Sequence, residues 1–137
     1  IGTRKRQIQL PVNDSDIKAI LFRKNPFGHS CVVIRKSIFI NAGGYDNNLR
    51  YAQDRDLWFR LMPQTTFANI PEFLVTRLID TRISKTNKRE QTITSMRLAA
   101  KYIRLYKASA LNYFFLLEPA LAYCSPLWLR HVIRKVI

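Results

Sequence analysis

Apolar residues along this chain fall into blocks of two different periods, and glycine, proline and asparagine separate the blocks. Residues 1–24 mix Arg, Lys and Asn with short apolar pairs, and Pro11 followed by Asn13, Asp14 and Ser15 is a helix-start signal ahead of residues 17–22. A loop and a short helix are expected there. Asn25-Pro26-Phe27-Gly28 is turn chemistry, because proline fixes one dihedral and glycine admits positive φ. The run Ser30-Cys31-Val32-Val33-Ile34 is apolar on both faces and rich in β-branched residues, the pattern of a strand buried in a sheet. Residues 36–42 read as a short helix closed by Gly43-Gly44, glycine being best suited to a left-handed cap.

A second helix is expected over 53–62, where Leu57, Trp58 and Leu61 share a face and Pro63 ends the pattern. Residues 67–70 and 73–79 read as extended segments interrupted by Pro71, and 81–89 as a polar, basic, mobile loop. From 90 to 107, Ile93, Met96, Ala100 and Ile103 recur at helical spacing and predict an amphipathic helix. The remainder is aromatic and apolar up to Leu129, then basic through Arg130, His131, Arg134 and Lys135. No internal repeat or low-complexity linker is visible. The fold class expected is α/β, with residues 1–86 forming part of a mixed α/β unit and residues 87–137 a helical appendage.

A length of 137 residues suffices for one domain, which typically buries about two thirds of its unfolded surface. The chain opens on Ile1, and its first clear pattern reads like the interior of something larger, so a part of a longer protein is expected. The 23 basic residues against 9 acidic ones give a formal charge of +14, which biases the surface toward nucleic acid, anionic headgroups or phosphorylated substrates. The cations are spread along the chain, so a solvated basic face accounts for them equally well. Cys31 and Cys124 lie far apart with no CxxC partner, suggesting neither a zinc site nor a disulfide framework. A reducing, cytosolic setting fits that usage. Residues 1–20 lack the pattern of a signal peptide.

The stretch richest in chemistry runs from Gly43-Gly44-Tyr45-Asp46 to Gln53-Asp54-Arg55-Asp56-Leu57-Trp58. A glycine turn precedes a carboxylate at a helix start, with an aromatic anchor four residues on. Glycines let backbone approach a ligand closely, and Trp58 would pin the helix so that Asp54 is held in one place. On spacing alone, charge–dipole attraction at a helix N-terminus is the simpler account of Asp54 and Asp56. The two also point to different sides of a helix, which argues against a paired acid/base dyad.

Taken in series, Asn25-Pro26-Phe27-Gly28-His29-Ser30, Arg35-Lys36, Ala42-Gly43-Gly44-Tyr45-Asp46 and Tyr51-Ala52-Gln53-Asp54-Arg55-Asp56-Leu57-Trp58-Phe59-Arg60-Leu61 resemble the second half of family 2 glycosyltransferases. The resemblance runs across residues 25–75 and implies the C-terminal, acceptor-side part of a GT-A (Rossmann-like) domain, followed by amphipathic C-terminal helices. It implies that Asp54 is the general base that deprotonates an acceptor hydroxyl while a nucleotide-sugar donor is attacked with inversion. Gly43, Gly44, Tyr45 and Gln53 would line the acceptor side. His29, Asp56 and Trp58 would be structural: His29 before the core strand, Asp56 at the helix start, Trp58 in the core.

The sequence also departs from the family pattern. Gln53 stands where glutamate is usual, removing one negative charge and keeping the base. Arg77-Leu78-Ile79-Asp80 occupies the place where many relatives carry Tyr-Arg-x-His, leaving Asp80 as the residue there that could face a metal. The resemblance implies a divalent metal, Mg or Mn, bridging the donor phosphates, with most of its ligands in an N-terminal half that these residues do not include. The nucleotide-binding half, with the Asp-x-Asp type motif expected there, is not included, and no Gly-x-Gly-x-x-Gly or P-loop pattern is present.

In the tail, residues 108–129 hold Leu111, Tyr113, Phe114, Phe115, Leu116, Leu117, Leu121, Tyr123, Leu127, Trp128 and Leu129, broken by Glu118, Pro119 and Pro126. A span needs about 20 largely apolar residues, so an interfacial or packed helix pair is expected. Aromatic rings with terminal cations suit a headgroup boundary, and the family resemblance implies a lipid-linked or glycan acceptor, with the protein cytoplasmic or peripheral at the inner face of the cell membrane. Helices that simply cover a domain core fit equally. A basic nucleic-acid module would interleave aromatics and cations on one exposed surface, whereas the aromatics here gather in the tail and at Trp58. A non-catalytic membrane-binding domain accounts for the tail and charge but leaves residues 43–58 unexplained.

Overall fold

The computed structural model describes residues 7–76, 87–114 and 116–117. Helix α1, Asp14–Leu21, follows extended backbone at Asn13 and carries Asp14 and Asp16 in its first turn and Lys18 in its last, the arrangement that favours a helix dipole at both ends. Asp14 pairs with Lys18 at 2.7 Å and accepts the Phe67 N–H at 2.8 Å. Burial raises the Asp14 pKa, but the Lys18 and Phe67 hydrogen bonds and the Lys18 charge outweigh it, leaving the carboxyl below its ordinary value. The unfolded chain therefore binds the proton more readily, and the contribution to stability is lost as pH falls through the folded value. Asp14→Asn is expected to flatten the decline in melting temperature below about pH 4, measured by thermal melts in a pH series.

Helix α2, Lys36–Asn41, ends as the glycine pair predicts. Gly43 and Gly44 have φ of 80° and 63°, and their N–H groups donate to Ile40 O at 2.8 Å and Phe39 O at 3.0 Å. That is a Schellman closure, which satisfies two orphan carbonyls. A side chain at Gly44 would also press on the Phe39 ring, 3.4 Å from where its Cβ would lie.

Helix α3, Gln53–Leu61, is the centre of the core, with Leu57, Trp58, Phe59 and Leu61 all buried. Burial on several faces follows from its neighbours. Ile17, Leu21 and Phe22 at the end of α1 approach one side; Leu98, Ala99, Tyr102 and Ile103 of helix α4, Lys88–Leu105, approach another. Phe59 is held between Phe22, at 5.3 Å between ring centroids, and Tyr102, stacked at 4.6 Å. Trp58 meets Phe27 edge-on at 5.2 Å, and Phe27 meets Phe67 at 5.4 Å.

Two expectations meet a different local structure. Residues 30–34 do not pair: His29–Cys31 is one turn of 3-10 helix, Val32 is extended, and Val33 is 99% exposed. A strand needs a ladder partner as well as the right residues, and no strand forms among the described residues. The apolar run instead lines an open groove of about 890 Å³ with Phe27, Trp58, Phe67 and residues 70–75. In α4 the buried face is rotated from the expected one. Leu98, Ala99 and Tyr102 are buried with Ile103, while Ile93, Met96 and Ala100 are half-buried, because the face is set by the stacked tyrosine and by Ser95, which receives Arg55.

Residues 77–79 of the second extended segment, most of the expected loop at 81–89 with Asp80, and the tail from Glu118 onward with Cys124 lie outside the described residues. Among the described residues no helix is long and apolar enough to cross a membrane.

Candidate functional site

The lead-in to α3 is built from turns. Asp46 Oδ1 accepts the Asn48 backbone N–H at 2.9 Å, Leu49 N–H donates to Asp46 O at 3.1 Å, and Gln53 Nε2 reaches back to Leu49 O at 2.5 Å. Ala52, the residue capping α3, has φ of 57°. An alanine in left-handed backbone is disfavoured by about 1–2 kcal/mol, and it holds here because Ala52 O accepts the Asp56 N–H at 3.0 Å and begins the helix. This bend turns Asp54 toward a cavity of about 410 Å³ lined by His29, Arg50, Tyr51, Gln53, Asp54, Gln91 and Ser95, with Ala52.

Asp54 is half-buried, and each of its oxygens has one hydrogen-bond partner among the described residues. Oδ1 accepts the Arg55 N–H at 2.8 Å, supplying the side-chain cap that Ala52 lacks. Oδ2 accepts Asn25 Nδ2 at 2.6 Å. A carboxylate oxygen has room for two donors, so among the described residues both retain a free lone pair. The group is fixed in orientation and still able to receive a hydroxyl proton from the cavity.

Asp56 is placed quite differently. It is 2% exposed, and its oxygens accept Tyr102 Oη–H and Arg60 Nε–H, each at 2.8 Å. Burial, then the bond to Asp56 and its charge, raise the Tyr102 phenol well above its ordinary pKa, so it remains a donor. Arg60 also donates from Nη2 to Gly44 O at 2.7 Å and from Nη1 to Ala42 O. One guanidinium thus joins the glycine turn after α2 to α3. Tyr106 adds a bond from its hydroxyl to Phe59 O at 2.8 Å.

Arg55, next to the candidate base, is 6% exposed and charged. Its Nε and Nη2 donate to Leu21 O at 3.2 and 2.7 Å, and Nη1 donates to Ser95 Oγ. Burial draws its pKa down to about 10, opposed by the Asp54 carboxylate, so it keeps its charge at neutral pH. The residue ties α1, α3 and α4 together directly beneath Asp54.

Of the residues marked in the sequence, His29, Gln53 and Asp54 share the cavity wall. Gly43, Gly44 and Tyr45 do not line it, but the Tyr45 ring meets His29 edge-on at 5.7 Å and Phe39 at 5.3 Å. His29 is exposed. Trp58 is buried in the core, where its Nε1 has no hydrogen-bond partner among the described residues; the same holds for the Tyr51 hydroxyl oxygen, at the cavity. Sequence reasoning missed Asn25, Gln91, Ser95 and Tyr102. For Asn25 the signal existed, because asparagine before proline is a side chain that bonds its own backbone two residues on. No group of three His, Cys, Asp or Glu side chains able to hold a metal occurs among the described residues.

Comparison with known proteins adds the chemistry. Over 73 residues, 53% of this chain, the sequence is 41% identical to the amylovoran biosynthesis glycosyltransferase AmsE of Erwinia amylovora. Over 67 residues, 48% of the chain, it is 34% identical to an uncharacterized glycosyltransferase of Haemophilus influenzae. This chain is similar to glycosyltransferases. The matched segments cover 27% and 24% of those two relatives, so the chain spans about a quarter of the length of the curated relatives it matches. No family model and no solved structure matches it.

Proposed function

We propose that this chain is the acceptor-side part of an inverting glycosyltransferase with a GT-A domain, in which Asp54 removes the proton of an acceptor hydroxyl as that oxygen attacks the anomeric carbon of a nucleotide-sugar. The observation that carries the reading is the half-buried Asp54 carboxylate, held by two hydrogen bonds with a free lone pair on each oxygen, at the wall of a cavity. Similarity to two glycosyltransferases supports the reaction class. The hydroxyl of a sugar is a poor nucleophile, and a carboxylate within hydrogen-bond reach takes its proton while the new bond forms. Gln53, Gln91, Ser95 and the orphaned Tyr51 hydroxyl supply donors and acceptors for a polyhydroxylated ligand.

The divalent metal expected with the donor diphosphate would neutralise charge on the leaving group. The described residues offer no set of ligands for it. Leu111, Phe114 and Leu117 are exposed apolar side chains on a chain of net charge +14. Together they favour a lipid-linked acceptor, or a glycan made at an anionic membrane surface on the cytoplasmic side.

The test incubates the full-length protein with radiolabelled uridine- and guanosine-diphosphate sugars, Mg²⁺ or Mn²⁺, and a membrane lipid extract. Label should move to the acceptor fraction, and proton NMR of the product should show the anomeric configuration opposite to the donor's. Transfer with retained configuration would remove the single-displacement mechanism, and no transfer from any donor would remove the enzymatic reading.

A further inference from the structure

We propose that Asn25 is a positioning residue for the reaction: its side-chain amide, locked by the backbone of its own turn, holds the Asp54 carboxylate facing the acceptor. The inference rests on the reading of Asp54 as the base.

The amide has only one usable orientation. Asn25 Oδ1 accepts the Phe27 N–H at 3.2 Å, closing an Asx turn across Pro26. That bond assigns oxygen to the Phe27 side and the NH2 group to the other, where Nδ2 lies 2.6 Å from Asp54 Oδ2. The turn itself is anchored. Pro26 is fully buried, and the Phe27 ring packs against Trp58, which lies on the same helix as Asp54. Donor and acceptor are therefore fixed to one rigid body by two separate connections, although 29 residues apart in sequence.

The bond does more than fill a valence. The Arg55 N–H restrains the carboxylate through Oδ1 alone, which leaves the broad torsion about Cβ–Cγ loosely held. A second donor on Oδ2 narrows that torsion, and a neutral amide does so without adding a cation to the base. The charged and titratable groups facing Asp54 are Arg55 from α3, Arg50 and Tyr51 from its lead-in, and His29 from the 3-10 turn. From α4 come Gln91 and Ser95, neither of which titrates.

Asn25→Asp isolates the donor, because a carboxylate keeps the acceptor for Phe27 N–H and so preserves the turn, while opposing a second negative charge to Asp54. The transfer assay above is run on the full-length parent, Asn25→Asp and Asn25→Ala from roughly pH 5 to 9. For Asn25→Asp the acidic limb of the kcat/KM profile should move up by about 1 pH unit or more, with kcat depressed about tenfold near pH 6 and recovering toward alkaline pH, and with donor KM unchanged. Asn25→Ala should lose about tenfold in kcat at every pH, the carboxylate having lost its fixed orientation. Transfer that requires Asp54 but shows an Asn25→Asp profile superimposed on the parent's would overturn the assignment of Asn25 alone. Parent transfer that survives Asp54→Asn would overturn the assignment of the base, and this one with it.

Discussion

Replacing Asp54 with asparagine is expected to lower sugar transfer by about two to four orders of magnitude while leaving the protein folded. Asparagine is nearly isosteric, and its carbonyl can still accept the Arg55 N–H that Oδ1 takes at 2.8 Å. What it lacks is basicity, so the acceptor hydroxyl must lose its proton to water. The amide also turns an N–H toward Asn25 Nδ2, replacing a 2.6 Å hydrogen bond by two opposed donors. That costs about 1–2 kcal/mol, enough to lower the melting temperature by several degrees without unfolding the chain. Labelled transfer measures the first effect and circular dichroism melts the second. A variant that keeps more than about a tenth of parental kcat would show that the proton leaves by another route.

The largest loss of stability is expected from the neighbouring carboxylate. Asp56→Ala removes the acceptor shared by Tyr102 and Arg60 in a buried setting. The Tyr102 hydroxyl and the Arg60 Nε–H lose their acceptor and the guanidinium its counter-charge, although it keeps Ala42 O and Gly44 O; the expected cost is about 3 kcal/mol, discounted because the Arg60 side chain is 26% exposed. For a unit of this size that lowers the melting temperature by on the order of 10 °C. Tyr102→Phe should cost about 1–2 kcal/mol, and the double variant should fall short of the sum, since both changes break one bond. Transfer measured well below the new melting temperature should keep parental kcat. A kcat lowered as far as in Asp54→Asn, with the fold intact, would place Asp56 in the chemistry.

The helices were legible because their ends are chemically marked. Asn13-Asp14-Ser15 starts α1, Gly43-Gly44 closes α2, and Pro63 follows α3. Such signals act within a few residues and need no partner. The run at 30–34 shows the opposite case: β-branched residues report a preference for extended backbone, but pairing depends on residues distant in sequence, and Val33 stands exposed. The register of α4 was hidden for a related reason. Apolar periodicity points to Met96 and Ala100, yet the face that packs is chosen by Ser95, 40 residues from the buried Arg55 it receives. At the site, spacing placed Asp54 at a helix start and no more, and the resemblance supplied a role. The cavity, the Asn25 bond and the separation of roles between Asp54 and Asp56 came only with the fold.

A single guanidinium has a mechanical consequence for this region. Arg60 grips the carbonyls of Ala42 and Gly44 with one end and Asp56 with the other. The loop bearing Tyr45 and the helix bearing Asp54 are therefore cast in one piece. Strain applied to one is passed straight to the other, so this corner of the fold yields as a block.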